Sequence, residues 1–185
     1  MKAAHFALVV LLVGCQSPAP TIIQVSTEKP TSFSGYWYKG GAEITSYELQ
    51  QARYGEMRTG KAVTVFVTEP FSASKQVKLD DYQAAGDDKV SVLKLNMMKD
   101  FVTGIYPYSM MLSTFTPLDG RPMIKSATSS QEWCGHTFLQ INQQDSGYRW
   151  TGFSYFESEG DATGQFEALS EDQLWTTLRI NPDQL

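Results

Sequence analysis

From Phe33 to residue 166 apolar and polar side chains alternate with a period of two, and short clusters of Gly, Asp, Asn and Ser interrupt the runs. This is the pattern of half-buried antiparallel strands. Lys61 to Thr68 shows it most clearly: Val63, Val65 and Val67 fall on one face, and Ala62, Thr64 and Phe66 on the other. Arg58-Thr59-Gly60 predicts a turn back to a run from about Ile44 to Met57, which makes a hairpin. Glu43 to Tyr54 has good helix formers, but Thr45, Tyr47, Tyr54 and the neighbouring glycines favour a strand. Further strands are predicted at Val77 to Leu79 and, after the turn Ala85-Gly86-Asp87-Asp88, at Val90 to Met97. Phe101 to Phe115 follows, with Tyr106, Tyr108, Met110 and Leu112 on one face. Pro107 within it implies an edge strand or a bulge. The loop Pro117 to Pro122 leads to a weaker strand at Met123 to Ser129, a strong one at Glu132 to Asn142 and, past Asp145-Ser146-Gly147, a last one at Tyr148 to Glu157.

About eight strands in sequence order predict a mainly β fold, a curved antiparallel meander sheet or half-barrel, since a large flat sheet would leave an apolar face and two edges uncovered. The C-terminus alone reads as helix. Ser170 and Gln173 fit a capping box, Leu169 and Leu174 a hydrophobic staple, Leu174 and Leu178 lie one turn apart, and Asn181-Pro182 ends it. This helix is expected to pack on the sheet.

The N-terminus follows a different rule. Met1-Lys2 is basic, Ala3 to Val13 is apolar, and Leu12-Val13-Gly14-Cys15 closes the run. The run is too short to span a bilayer, and Pro18 and Pro20 disfavour a core helix there. Its end resembles the lipobox of bacterial lipoproteins, which implies a signal peptide over residues 1–14 and lipidation of Cys15. Residues 15–32, rich in Pro, Ser and Thr, read as the lipidated cysteine and its tether, and 33–185 as a single β-rich domain. Each buried CH₂ of the acyl chains contributes about 0.8 kcal/mol to anchoring. Gln16, where Asp would hold a chain at the inner membrane, resembles outer-membrane sorting patterns. The expected location is the cell envelope, with the membrane a partner through the anchor.

Charge removes one class of partner. A net charge of −5, with no basic run interleaved with aromatics, provides no electrostatic footprint for nucleic acid. Of two cysteines and two histidines in the chain, Cys134 and His136 alone lie outside the signal and lipobox, so Gln131 to His136 holds the candidate reactive groups. On a continuous strand Glu132, Cys134 and His136 would share one face at about 6.7 Å spacing, with Trp133, Thr137, Leu139 and Ile141 on the other, which reads as core. One reading is a cysteine nucleophile with His136 as base and Glu132 as orienting group, hence a thiol- or metal-dependent hydrolase. A metal site would need Glu132 or Glu157 as third ligand, a thin supply; none is assigned, and no cofactor is expected. The plainer reading makes Cys134 a small buried hydrophobe, Gly135 a point of close approach for a strand or ring, and His136 a group hydrogen-bonded within the fold. Tyr106, Tyr108, Met110 and Trp133 are candidates to line an apolar ligand site, although such a stripe also reads as core. Tyr155 to Asp161 ends in an acidic turn. Phosphate loops, nucleophile elbows, His-Glu-x-x-His and Cys-x-x-Cys are missing.

The segments SYELQQARYGE (46–56), FVTEPFS (66–72), KQVKLD (75–80), TGIYPYSMMLSTFTP (103–117), QEWCGHTF (131–138) and SYFESEGD (154–161) resemble an uncharacterised family of Gram-negative bacterial lipoproteins. Its members often carry the label septum formation inhibitor, which belongs to unrelated cytoplasmic nucleotide pyrophosphatases; a secreted, lipidated chain would not meet their substrates. The resemblance implies a lipid-anchored envelope protein that binds an envelope protein or an apolar ligand on its sheet.

Overall fold

The computed structural model describes residues 32–184. The expected signal peptide, Cys15 and most of the expected tether therefore lie outside the described residues. Nine antiparallel strands form one open sheet in the order β1-β2-β4-β5-β6-β7-β8-β9, with β3 beside β2. They are β1 (Glu43–Arg53), β2 (Glu56–Ser72), β3 (Val77–Lys78), β4 (Lys89–Thr103), β5 (Tyr106–Pro117), β6 (Lys125–Glu132), β7 (Gly135–Gln143), β8 (Tyr148–Ser154) and β9 (Ala162–Phe166). A short helix, α1 (Phe33–Trp37), precedes the sheet and another, α2 (Leu174–Ile180), follows it. The predicted mainly β meander with a C-terminal helix is the observed architecture, and the sheet does not close.

Because consecutive strands pair, their connections alternate between two ends of the sheet. At one end lie α1, α2 and the connections β2–β4, β5–β6 and β7–β8; at the other lie the two-residue turns β1–β2, β4–β5 and β6–β7 and the longer β8–β9 connection. The register places Ala62, Thr64, Phe66, Leu95, Met97, Phe101, Tyr108, Leu112 and Thr114 on one face, called here the helix face. Trp37 of α1 packs there on Phe66, Leu93, Leu95 and Met97, and Ile180 of α2 joins the cluster. Glu43 ties the helices to β1: its carboxylate pairs with Arg179 (Nη2–Oε1 2.7 Å) and accepts from the Tyr36 hydroxyl at 3.2 Å. A second cluster, Phe71, Val90, Val92 and Ile124, fills the opposite face at the helix end. Met123, Ile141 and Tyr148 form the third, against Trp150 and Phe166.

Several boundaries differ from the sequence reading, each for an identifiable reason. The β1–β2 turn is Tyr54-Gly55, both at positive φ (55° and 77°) as a type I′ turn requires, not Arg58-Thr59-Gly60. Gly60 is a strand residue; a Cβ there would lie 2.2 Å from the Asp100 carbonyl oxygen and 2.7 Å from Phe101 Cβ. Its lack of a side chain serves strand approach rather than turning. Phe101 to Phe115 is split by a turn at Gly104-Ile105. Pro107 lies in β5, which is interior, yet β6 pairs with β5 only from Ser109 onward. Thr103↔Tyr106 closes the two-residue turn, so the next pair, Val102↔Pro107, is the one without mutual hydrogen bonds and the proline nitrogen faces the unpaired side. β9 has no signal in the sequence pattern, because Ala162-Thr163-Gly164-Gln165-Phe166 hardly alternates.

The C-terminal cap also differs. Ser170 Oγ accepts from Asp172 N at 3.3 Å, while Gln173 Oε1 is turned to the Met123 N–H at 3.4 Å instead of back to Ser170. The contact with the sheet is polar: Thr176 and Thr116 share a buried hydroxyl pair at 2.7 Å, and Ser126 donates to Asp172 at 2.6 Å. Leu169, Leu174 and Leu178 are exposed.

A candidate aromatic binding row at the turn end

All four connections at the turn end present a large apolar side chain to solvent. Tyr54, Ile105, Trp133 and Tyr155 are 69%, 72%, 66% and 71% exposed. Three of these turns have two residues each, Tyr54-Gly55, Gly104-Ile105 and Trp133-Cys134, and in none is the side chain one that a tight turn prefers.

Behind these tips the rings connect. The β1–β2 hairpin reaches past β4, with which it pairs only from Gly60 onward, and the Tyr54 hydroxyl meets the Tyr108 hydroxyl at 2.8 Å. Tyr108 stacks on Phe101 across the strand pair, with centroids 4.9 Å apart and planes at 6°. The Arg53 guanidinium lies 4.7 Å from the Tyr54 ring centre and 5.3 Å from that of Tyr108, cation–π distances. Arg53 forms no ion pair among the described residues. Two residues back on the same face, Tyr106 meets Trp133 edge-on at 5.5 Å. Burial first, and then the hydrogen bond with Tyr54, push the Tyr108 phenol above its ordinary range.

Of the residues singled out from sequence as ligand-lining, Tyr106, Tyr108 and Trp133 are thus brought together. Met110 sits further along β5, half-buried between Lys99 and Ser130. Sequence reasoning missed Tyr54 and Ile105, which belong to turns that the alternation concealed, and Arg53 and Phe101, strand residues close to those turns.

The geometry expected for Glu132, Cys134 and His136 is corrected. Trp133-Cys134 is a hairpin turn, so these residues do not lie on one strand. The pairs Glu132↔Gly135 and Gln131↔His136 direct Glu132 and His136 to opposite faces. Cys134 is an exposed free thiol, not a buried hydrophobe, and Glu132 is occupied in accepting the Cys134 N–H at 2.7 Å. His136 is exposed on the face away from the helices. Trp133 and Leu139, expected in the core, are exposed, whereas Ile141 is buried. Gly135 does admit a ring: its Cβ would fall 2.6 Å from the Tyr155 ring. Among the described residues no three His, Cys, Asp or Glu side chains cluster as a metal site would need. In the acidic turn, Glu159 and Asp161 accept from the Ser154 hydroxyl and N–H, at 2.7 and 3.2 Å.

Comparison with known proteins adds no name to this geometry. No family model, no curated protein and no solved structure matches the chain. The arrangement of the row therefore carries the functional argument. Exposed apolar side chains gathered at one end of a sheet, with amphipathic rings, one unpaired guanidinium and a neutral phenol behind them, suit a surface that associates with an apolar or aromatic group.

Proposed function

We propose that this is a cell-envelope protein, anchored to the outer membrane through a lipid on Cys15, whose role is binding rather than catalysis. Its turn end takes an envelope partner or an apolar ligand through Tyr54, Ile105, Trp133 and Tyr155, backed by Tyr106, Tyr108 and Arg53. One observation carries the reading: every connection at that end places a large apolar side chain in solvent, where turn chemistry alone would select Gly, Asn or Asp. The anchor rests on the lipobox-like Leu12-Val13-Gly14-Cys15 and the family on the segment resemblance. A thiol hydrolase finds no such support, because Glu132 and His136 open to opposite faces.

Photo-crosslinking in intact cells tests the site. A crosslinking side chain at Ile105 should yield one defined protein or lipid adduct, abolished by Tyr54→Ser with Trp133→Ser, while one at Gln144, at the helix end, yields none. Equal adducts at both ends, or none at Ile105, would remove the turn end from consideration.

A further inference from the structure

The face away from the helices holds a second feature, independent of the aromatic row. Lys125, Asn142 and Arg149 stand in one row across β6, β7 and β8, on one face and with the two cations about 10 Å apart at the backbone. The turn between β2 and β3 folds over this row. Gln76 there adopts φ 54°, a conformation that costs a non-glycine residue about 1 kcal/mol. Its side chain offsets that cost by linking the turn to the sheet: Gln76 Nε2 donates to the Gln143 carbonyl at 2.8 Å, and Asn142 Nδ2 donates to Gln76 Oε1 at 2.6 Å. Lys125 Nζ donates to the Gln76 carbonyl at 3.3 Å. Beside the linkage lies an open polar groove of about 340 Å³, to which Lys75, Arg149 and Thr151 contribute.

The groove is cationic and has no carboxylate in its wall. Lys75, Lys125 and Arg149 form no ion pair among the described residues. Outside the wall, Asp88 accepts from the Ser72 hydroxyl and the Ser74 N–H and attracts Lys75 through space, and Glu167 accepts from the Ser146 hydroxyl. Lys125 is half-buried, and burial lowers its pKa.

We propose that this groove binds a phosphate-type dianion, with Arg149 and Lys75 as direct ligands and Lys125 supplying charge from beneath Gln76. Two or three cations match a dianion better than a carboxylate, which one guanidinium fork satisfies. Tetrahedral oxygens can also take donors from the turn and the sheet at once, Thr151 among them.

The test is titration of the full chain at fixed ionic strength with inorganic phosphate and, separately, with a short-chain, monomeric phosphatidic acid. Saturable binding is expected, with amide shifts at Gln76 and Asn142, and with Kd raised fivefold or more by Arg149→Gln and by Lys75→Gln. Preference for inorganic phosphate identifies a soluble source, and preference for phosphatidic acid a lipid headgroup; either supports the site. No saturable binding to either, shifts elsewhere, or a change under fivefold in variants with wild-type circular dichroism overturns it. Lys75→Gln changes an exposed turn residue and keeps the test valid if Arg149→Gln fails to fold.

Discussion

At the scale of single residues, the same residue type has opposite meanings in different surroundings. Gly60 is required by backbone, because its missing Cβ would collide with the Asp100 carbonyl. Gly60→Ala is therefore expected to destabilise by about 2 kcal/mol or more, through strain on the β2–β4 pairing; a urea midpoint within error of wild type would refute the close approach. Tyrosine hydroxyls diverge likewise. Tyr108 hydrogen-bonds Tyr54, whereas the Tyr148 hydroxyl is buried with no partner among the described residues. Tyr108→Phe should cost about 1 kcal/mol, while Tyr148→Phe should be neutral or stabilising, since it removes an unsatisfied group. Both phenols are raised above the ordinary value of 10.0, so the folded state favours their protonated forms. Their contribution is complete below the unfolded phenol pKa and declines as pH rises through the folded values. Tyr108→Phe should flatten the alkaline limb of the stability profile; an unchanged limb assigns it to other groups. Asp88 has the opposite sign: the Ser72 hydroxyl and then the Ser74 N–H hold its carboxyl below the ordinary range, so its contribution is lost as pH falls through the folded value.

At the scale of elements, α2 inverts the usual order of importance. Leu174 and Leu178 are exposed, while Thr176 is fully buried and shares its hydroxyl with Thr116. Thr176→Val is expected to cost about 1–3 kcal/mol by stranding the Thr116 hydroxyl, against under about 0.5 kcal/mol for Leu178→Ala. Chemical denaturation of the two variants checks this, and a larger loss from Leu178→Ala would show that the helix packs by its leucines. The strands were legible where alternation had one buried face, as at Lys61 to Thr68. They were misread at Gly104-Ile105 and Trp133-Cys134, where turns with apolar or aromatic residues leave the hydrophobic pattern unbroken. Both turns contribute to the exposed row, through Ile105 and Trp133, residues that the local chemistry of a tight turn does not select.

At the scale of the whole molecule, the proposed anchor and the binding row make separable predictions. Cys15→Ala should move the protein from the membrane fraction to the soluble fraction without changing the circular dichroism of the sheet; persistent membrane association would refute lipidation. Tyr54→Ser with Trp133→Ser should leave fractionation unchanged, since that depends on the lipid. The sequence by itself determined the mainly β class, the antiparallel sheet and the C-terminal helix, because period-two burial and short connections are local properties that a meander preserves; that β3 lies beside β2 and off the main order was decided by the tertiary structure. It also placed Cys134 and His136 as the scarce reactive side chains. Only the tertiary structure decided which faces they occupy, because one two-residue turn at Trp133-Cys134 reverses the chain and directs Glu132 and His136 to opposite faces. It likewise decided that Tyr54, 54 residues from Tyr108 in the chain, completes the aromatic row. Contacts of that separation depend on where hairpins bend and how strands cross, and alternation along the chain carries no record of either.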